Sequence, residues 1–220
     1  MHGKNLFTLF LVIMLMIVGV FIFMLSSNCI TQDPQVVATI FVGLTAVIVS
    51  IFIGIINKRS TEQQTYQLLE LAAIELFRFE SHNSSICSLL HKEKGVKLQN
   101  MRIKTQIEFE AYITQVLNLF EIAIKYRLQK IFPADAFASW LPWMLEICGY
   151  ATFRINWKEK FKPHYTNDLI IIIDTGIKCI EENRNKSQDS IKDEFYNRVA
   201  IIFKNDMTIK NWNKREVLCE

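Results

Sequence analysis

PQVVATIFVGLTAVIVSIFIGIIN, residues 34–57, contains no charged side chain. A second such stretch precedes it. Asn5 to Gln32 is also uncharged, and LFTLFLVIMLMIVGVFIFML, residues 6–25, is almost wholly apolar. An α-helix rises about 1.5 Å per residue, so about 20 apolar residues cross a hydrocarbon core of about 30 Å. Both stretches meet that length. The expectation is a transmembrane helical hairpin over 1–57, with spans at about 6–25 and 36–56.

Lys4 offers a short basic flank such as a signal peptide carries, and Leu25-Ser-Ser-Asn-Cys29 hints at a lipoprotein site. The apolar run is longer than a usual signal core, no A-x-A-like site follows, and Asn28 is bulky where a small residue belongs. The first span is therefore read as retained. Lys4 precedes it, Lys58 and Arg59 follow the second span, and the loop between carries only Asp33. The positive-inside rule then places both chain ends in the cytoplasm, in a multi-pass inner-membrane protein. In the second span Thr39, Gly43, Ala46, Ser50 and Gly54 recur every three or four residues. Small residues so spaced let helices approach closely in lipid. The partner is either the first span near Gly19 or another copy of the chain.

Of the 220 residues, 50% are hydrophobic and 21% charged, with Gly 7 and Pro 4, which excludes a disordered, collagen-like or disulfide-dense chain and does not suit a turn-rich β fold. The net charge of +3 is too mild to indicate nucleic acid by itself, and DNA is not expected as a partner. The fold class expected is all-α, with a cytosolic helical domain over 58–205 and a polar tail over 206–220. Helices are expected at Ser85 to Glu93, ending at Gly95, and at Lys104 to Ile131. Another runs from Ala134 to Ile155, bent at Pro142, followed by Leu169 to Glu182 and Ser190 to Lys204. Thr166-Asn-Asp168 is a good N-cap cluster. Only Leu169 to Ile173, rich in consecutive Ile, offers a strand as an alternative.

Asp174-Thr-Gly176 matches the active-site tripeptide of aspartic proteases, but Gly176 is the last glycine of the chain, so no flap or second Gly-containing loop follows. Cys87 and His91 share a helix face without further ligands at suitable spacing, and no metal or cofactor is expected. The five cysteines fit free thiols. No phosphate-binding, nucleophile-elbow or zinc-protease motif occurs, and Glu108/Glu110 and Glu181/Glu182 fall on different helix faces. No enzyme is expected.

The candidate site is Arg154-Ile-Asn-Trp-Lys-Glu-Lys-Phe-Lys-Pro-His-Tyr165. Cations offer phosphate contacts, aromatic faces stack bases, and the helix N-terminus at Thr166 favours anions. Lys92, Lys94, Lys97, Arg102 and Lys104 form a second basic patch. The competing reading is a solvated or lipid-facing loop whose aromatics fill the core.

Leu117-Asn-Leu-Phe-Glu-Ile-Ala123, with the Trp157…Lys160…Lys162-Pro163 run, resembles a helical domain of many bacterial membrane-anchored proteins of unknown function. The plan of two spans and a helical domain resembles the small membrane effectors of type III CRISPR antiviral systems. That second resemblance implies a homo-oligomeric, non-enzymatic effector that binds cyclic tetra-adenylate and perturbs the bilayer. The ligand would be held by Arg154, Asn156, Trp157, Lys160, Lys162, His164 and Tyr165, with the membrane helices packing through Gly43, Ala46, Ser50 and Gly54. A membrane-tethered protein-interaction module without a nucleotide ligand is the alternative.

Overall fold

The computed structural model describes residues 34–183 and 185–212, together with Gly19. The first expected span and the Cys219 end lie outside the described residues. The described residues are all-helical, with no strand among them. The chain divides between Thr61 and Glu62 into two units.

Helix α1, Pro34–His82, begins in the first unit. It is the one helix among the described residues long and apolar enough to cross a membrane, with mean hydropathy 1.6 over its most apolar window. None of that window is buried within the protein, and Val42, Val47 and Ile51 are exposed. An apolar helix without a protein cover suits lipid as its solvent.

The second unit is built around α3, Ile103–Leu128. Phe109, Tyr112, Ile113, Val116, Leu117, Phe120, Ala123 and Ile124 recur at helical spacing and are all buried. Each large apolar side chain so buried contributes about 1.5–3 kcal/mol. Leu69, Ala73 and Leu76 in the second-unit part of α1 are also buried in this core, as are Ile86, Leu89 and Leu90 of α2, Ser84–Leu90. After α3 come α4, Ala134–Ala138, α5, Leu141–Gly149, and α6, Ala151–Asn156. Then follow α7, Asn167–Glu182, α8, Gln188–Ile202, and α9, Met207–Lys210. The stretch with four Ile in a row is helical, with Leu169, Ile172 and Ile173 buried.

Three expectations are corrected. The helix expected over 134–155 is three short helices. Pro142 sits in the first turn of α5, where a missing N–H costs nothing, and extended backbone at Tyr150 separates α5 from α6. Gly95 is not a left-handed cap, since no glycine described has positive φ. Its role is close approach: a Cβ there would lie 2.5 Å from the Ala151 carbonyl oxygen. The polar tail expected from 206 begins instead with a docked helix. Ile209 is fully buried, and Asp206 Oδ1 accepts from the Thr208 and Ile209 amides at 2.9 and 3.3 Å.

Asp206 also accepts from Arg127 near the end of α3, tying α9 to the core. Burial alone would raise its pKa, but the Arg127 hydrogen bond and the two amides hold it below the usual 3.8. A lowered folded-state pKa means the stabilisation is complete above the unfolded value and is lost as pH falls through the folded one. Asp206→Asn is expected to cost about 1–3 kcal/mol at neutral pH. In urea titrations the difference from wild type should shrink once pH drops below about 4. A difference that does not change with pH would contradict the pairing.

Candidate functional site

The 154–165 run leaves α6 through a widened π turn, Trp157–Phe161, and a 3-10 turn, Lys162–His164. Its aromatic residues form an inward ladder at four-residue spacing. Phe153 packs on Trp157 at 5.6 Å and on Phe161 at 6.2 Å, and Trp157 stacks on Tyr165 at 6.4 Å. Trp157 is only 3% exposed.

Arg154, Asn156, Lys160, Lys162 and Tyr165 of the run are engaged with the protein's own chain, while Lys158, Glu159 and His164 are exposed. Arg154 donates to the carbonyls of Cys148, at 3.1 Å, and Gly149, capping the end of α5. Asn156 is buried, and its amide makes three hydrogen bonds. It accepts from the Leu98 amide at 3.0 Å and donates to Val96 O at 2.8 Å and Thr152 O at 2.7 Å. Thr152 donates to Leu89 O at 2.8 Å and accepts from the Val96 amide at 3.3 Å. Together Asn156 and Thr152 fix the segment around 96–98 against α6. Lys160 pairs with Glu110 at 3.2 Å. Tyr165 donates to Thr114 O at 3.4 Å, and His164 is exposed.

Asp174 joins the run to α7. One carboxylate oxygen accepts from the Trp157 indole at 2.8 Å and the other from Lys162 at 2.7 Å. The rest of the tripeptide is equally structural. Thr175 donates back to Ile171 O at 2.6 Å, and a Cβ on Gly176 would meet Cys148 Sγ at 2.7 Å. Cys148 is fully buried, and burial pushes its thiol well above the usual value.

The N-terminus of α7 already has an anion. Glu121 of α3 accepts from the Thr166 amide at 2.9 Å. Burial would raise its pKa, but hydrogen bonding from Thr166 and the charge of Lys125 bring it below the usual value. Glu121 was invisible to sequence reasoning as a partner of Thr166, because the pair is 45 residues apart.

Of the expected ligand residues, Asn156 and Lys160 meet in a cleft of about 240 Å³, which also contains Lys97 of the second basic patch, Gln99 and Gln106. Glu110 and Glu159 line it too, so two carboxylates balance its two lysines. Trp157 and Lys162 meet at Asp174, whereas Arg154, His164 and Tyr165 lie apart from the cleft lining. Gly43, Ala46, Ser50 and Gly54 are exposed on α1. Apart from the neighbouring residues and backbone of α1 itself, no described atom lies within 4 Å of a Cβ built at Gly43 or Gly54.

A second concavity, about 500 Å³, lies between α3 and the second-unit part of α1, lined by Ala72, Leu76, Phe79, Leu119 and Ile122 with Glu75, Gln115 and Asn118. Leu68 and Leu71, 68% and 59% exposed, extend the apolar surface along α1. Comparison with protein-family models, curated proteins and solved structures returns no match.

Replacing Asn156 with Ala would leave the Leu98 amide and Val96 carbonyl unsatisfied at a buried position. The expected loss is about 2–3 kcal/mol of stability, read from urea unfolding of the full chain in detergent. A loss below about 0.5 kcal/mol, the usual size for an uninvolved surface position, would contradict the structural role.

Proposed function

We propose that this protein is a membrane-anchored, non-enzymatic interaction module that assembles with copies of itself. The membrane part is the two-span hairpin of residues 6–25 and 36–56, with both chain ends cytoplasmic by the charges flanking it. The second unit supplies the contact surface. One observation carries this reading: the groove between α1 and α3 is apolar, and Leu68, Leu71 and Ile122 stand exposed around it. Exposed apolar surface of this kind marks a contact site more often than a solvated face. Gly43, Ala46, Ser50 and Gly54, also on α1, are exposed among the described residues, and small residues so spaced suit close packing against the helix of another copy.

The variant Leu71→Glu/Ile122→Glu places charge in the groove and beside it, at positions exposed enough to leave the fold intact. Sedimentation of the full chain in detergent should show at least about a tenfold weaker self-association, or about 1.4 kcal/mol. A monomeric wild-type chain, or a variant that assembles equally well, would contradict the reading.

A second reading is an antiviral effector gated by cyclic tetra-adenylate. It is favoured by the cleft in which Lys97 and Lys160 of the two basic patches meet beside Gln99, Gln106 and Asn156. For such a ligand to act as a switch it must bind one arrangement of the protein better than another. Calorimetry of the full chain with cyclic tetra-adenylate tests this. Binding lost in Lys97→Ala/Lys160→Ala supports it, and absence of heat and of any mobility shift ends it.

A further inference from the structure

The corner between α1 and α2 brings together three side chains of metal-ligating type. Glu80 lies in the last turn of α1, Cys87 in α2, and His91 caps the end of α2. Their ligand atoms all lie within 4.8 Å of one another. Sequence spacing pairs Cys87 with His91 on one helix face. The third member comes from the preceding helix, which turns back through Asn83, whose carbonyl accepts from the Cys87 amide at 3.1 Å.

The surroundings orient these groups. The Tyr112 hydroxyl donates to Glu80 Oε2, so one carboxylate oxygen is held in place. Tyr112 is fully buried. The His91 ring rests edge-on against Tyr150 at 5.2 Å and 85°, while remaining exposed enough to swing. Tyr150 is itself hydrogen-bonded to Glu146 at 2.6 Å. A hydrogen bond to a ligating carboxylate from an outer residue is a recurrent feature of metal sites.

We propose that Glu80, Cys87 and His91 bind a zinc-class divalent transition ion, with water as the fourth ligand. A thiolate with an imidazole selects such an ion over magnesium or calcium, which prefer oxygen-only sites. Ligand atoms around tetrahedral zinc stand about 3.3–3.8 Å apart, given metal–ligand bonds of about 2.0–2.3 Å. Atoms within 4.8 Å of one another are already close to that spacing. Ion binding fastens the end of α1 to α2.

Cobalt(II) titration of the full chain in detergent, with the thiols reduced, tests the site. A single equivalent should produce sulfur-to-cobalt charge-transfer absorption and the intense visible bands of tetrahedral cobalt, and zinc should displace both. Cys87→Ser should abolish the charge-transfer band. His91→Ala and Glu80→Gln should each weaken binding at least about tenfold, and Tyr112→Phe about 10–100-fold. Cys29→Ser/Cys219→Ser should bind as wild type does. His91 is exposed, so His91→Ala keeps the test decisive should Cys87→Ser fail to fold. No band, a band that survives Cys87→Ser, or unchanged affinity in both His91→Ala and Glu80→Gln would overturn the proposal, the last as adventitious thiol binding only.

Discussion

The Asp174 carboxylate, shared between the Trp157 indole and the Lys162 ammonium, determines what the most conspicuous stretch of this chain does. It draws the 157–162 turn onto α7 and directs the aromatic ladder of Phe153, Trp157, Phe161 and Tyr165 inward. A side chain at every fourth position on one helical face is core spacing. The cations between those rings then find partners within the fold, Arg154 on the end of α5 and Lys160 on Glu110. Even the anion that the N-terminus of α7 attracts is supplied from within, by Glu121. The seam therefore joins α3, α6 and α7.

The apolar second span, the long amphipathic α3 and the Thr166 boundary of α7 were legible because each is a local signal. Length and periodicity suffice for the first two, and Thr166 stands at the N-cap position although its side chain makes no capping hydrogen bond. The 134–156 region was less legible. Pro142 at the start of a helix and Pro142 inside one look alike until the preceding turn is known. Gly95 reads as a helix end, yet what requires it is the backbone of Ala151, more than fifty residues away. The same limit applies to Asp174-Thr-Gly176, whose three residues have separate structural partners.

Charge was the least legible feature. A run of Arg and Lys among aromatics has the composition of an anion site, but its partners Glu110 and Asp174 are scattered along the chain. Only the fold brings them together. Glu80 likewise gives no sequence signal beside Cys87 and His91, because the α1–α2 corner, not a spacing, sets their proximity. An apolar groove lies between α1 and α3, lined by residues other than those that composition emphasised.

Hydroxyl-radical footprinting of the intact protein in detergent, read residue by residue by mass spectrometry, tests most directly whether this seam faces inward. The account predicts that Trp157 and Phe161 are protected to the same degree as the α3 core residues Phe109 and Phe120, while neighbouring His164 is readily oxidised. Rapid oxidation of Trp157, at a rate like that of His164, would contradict it.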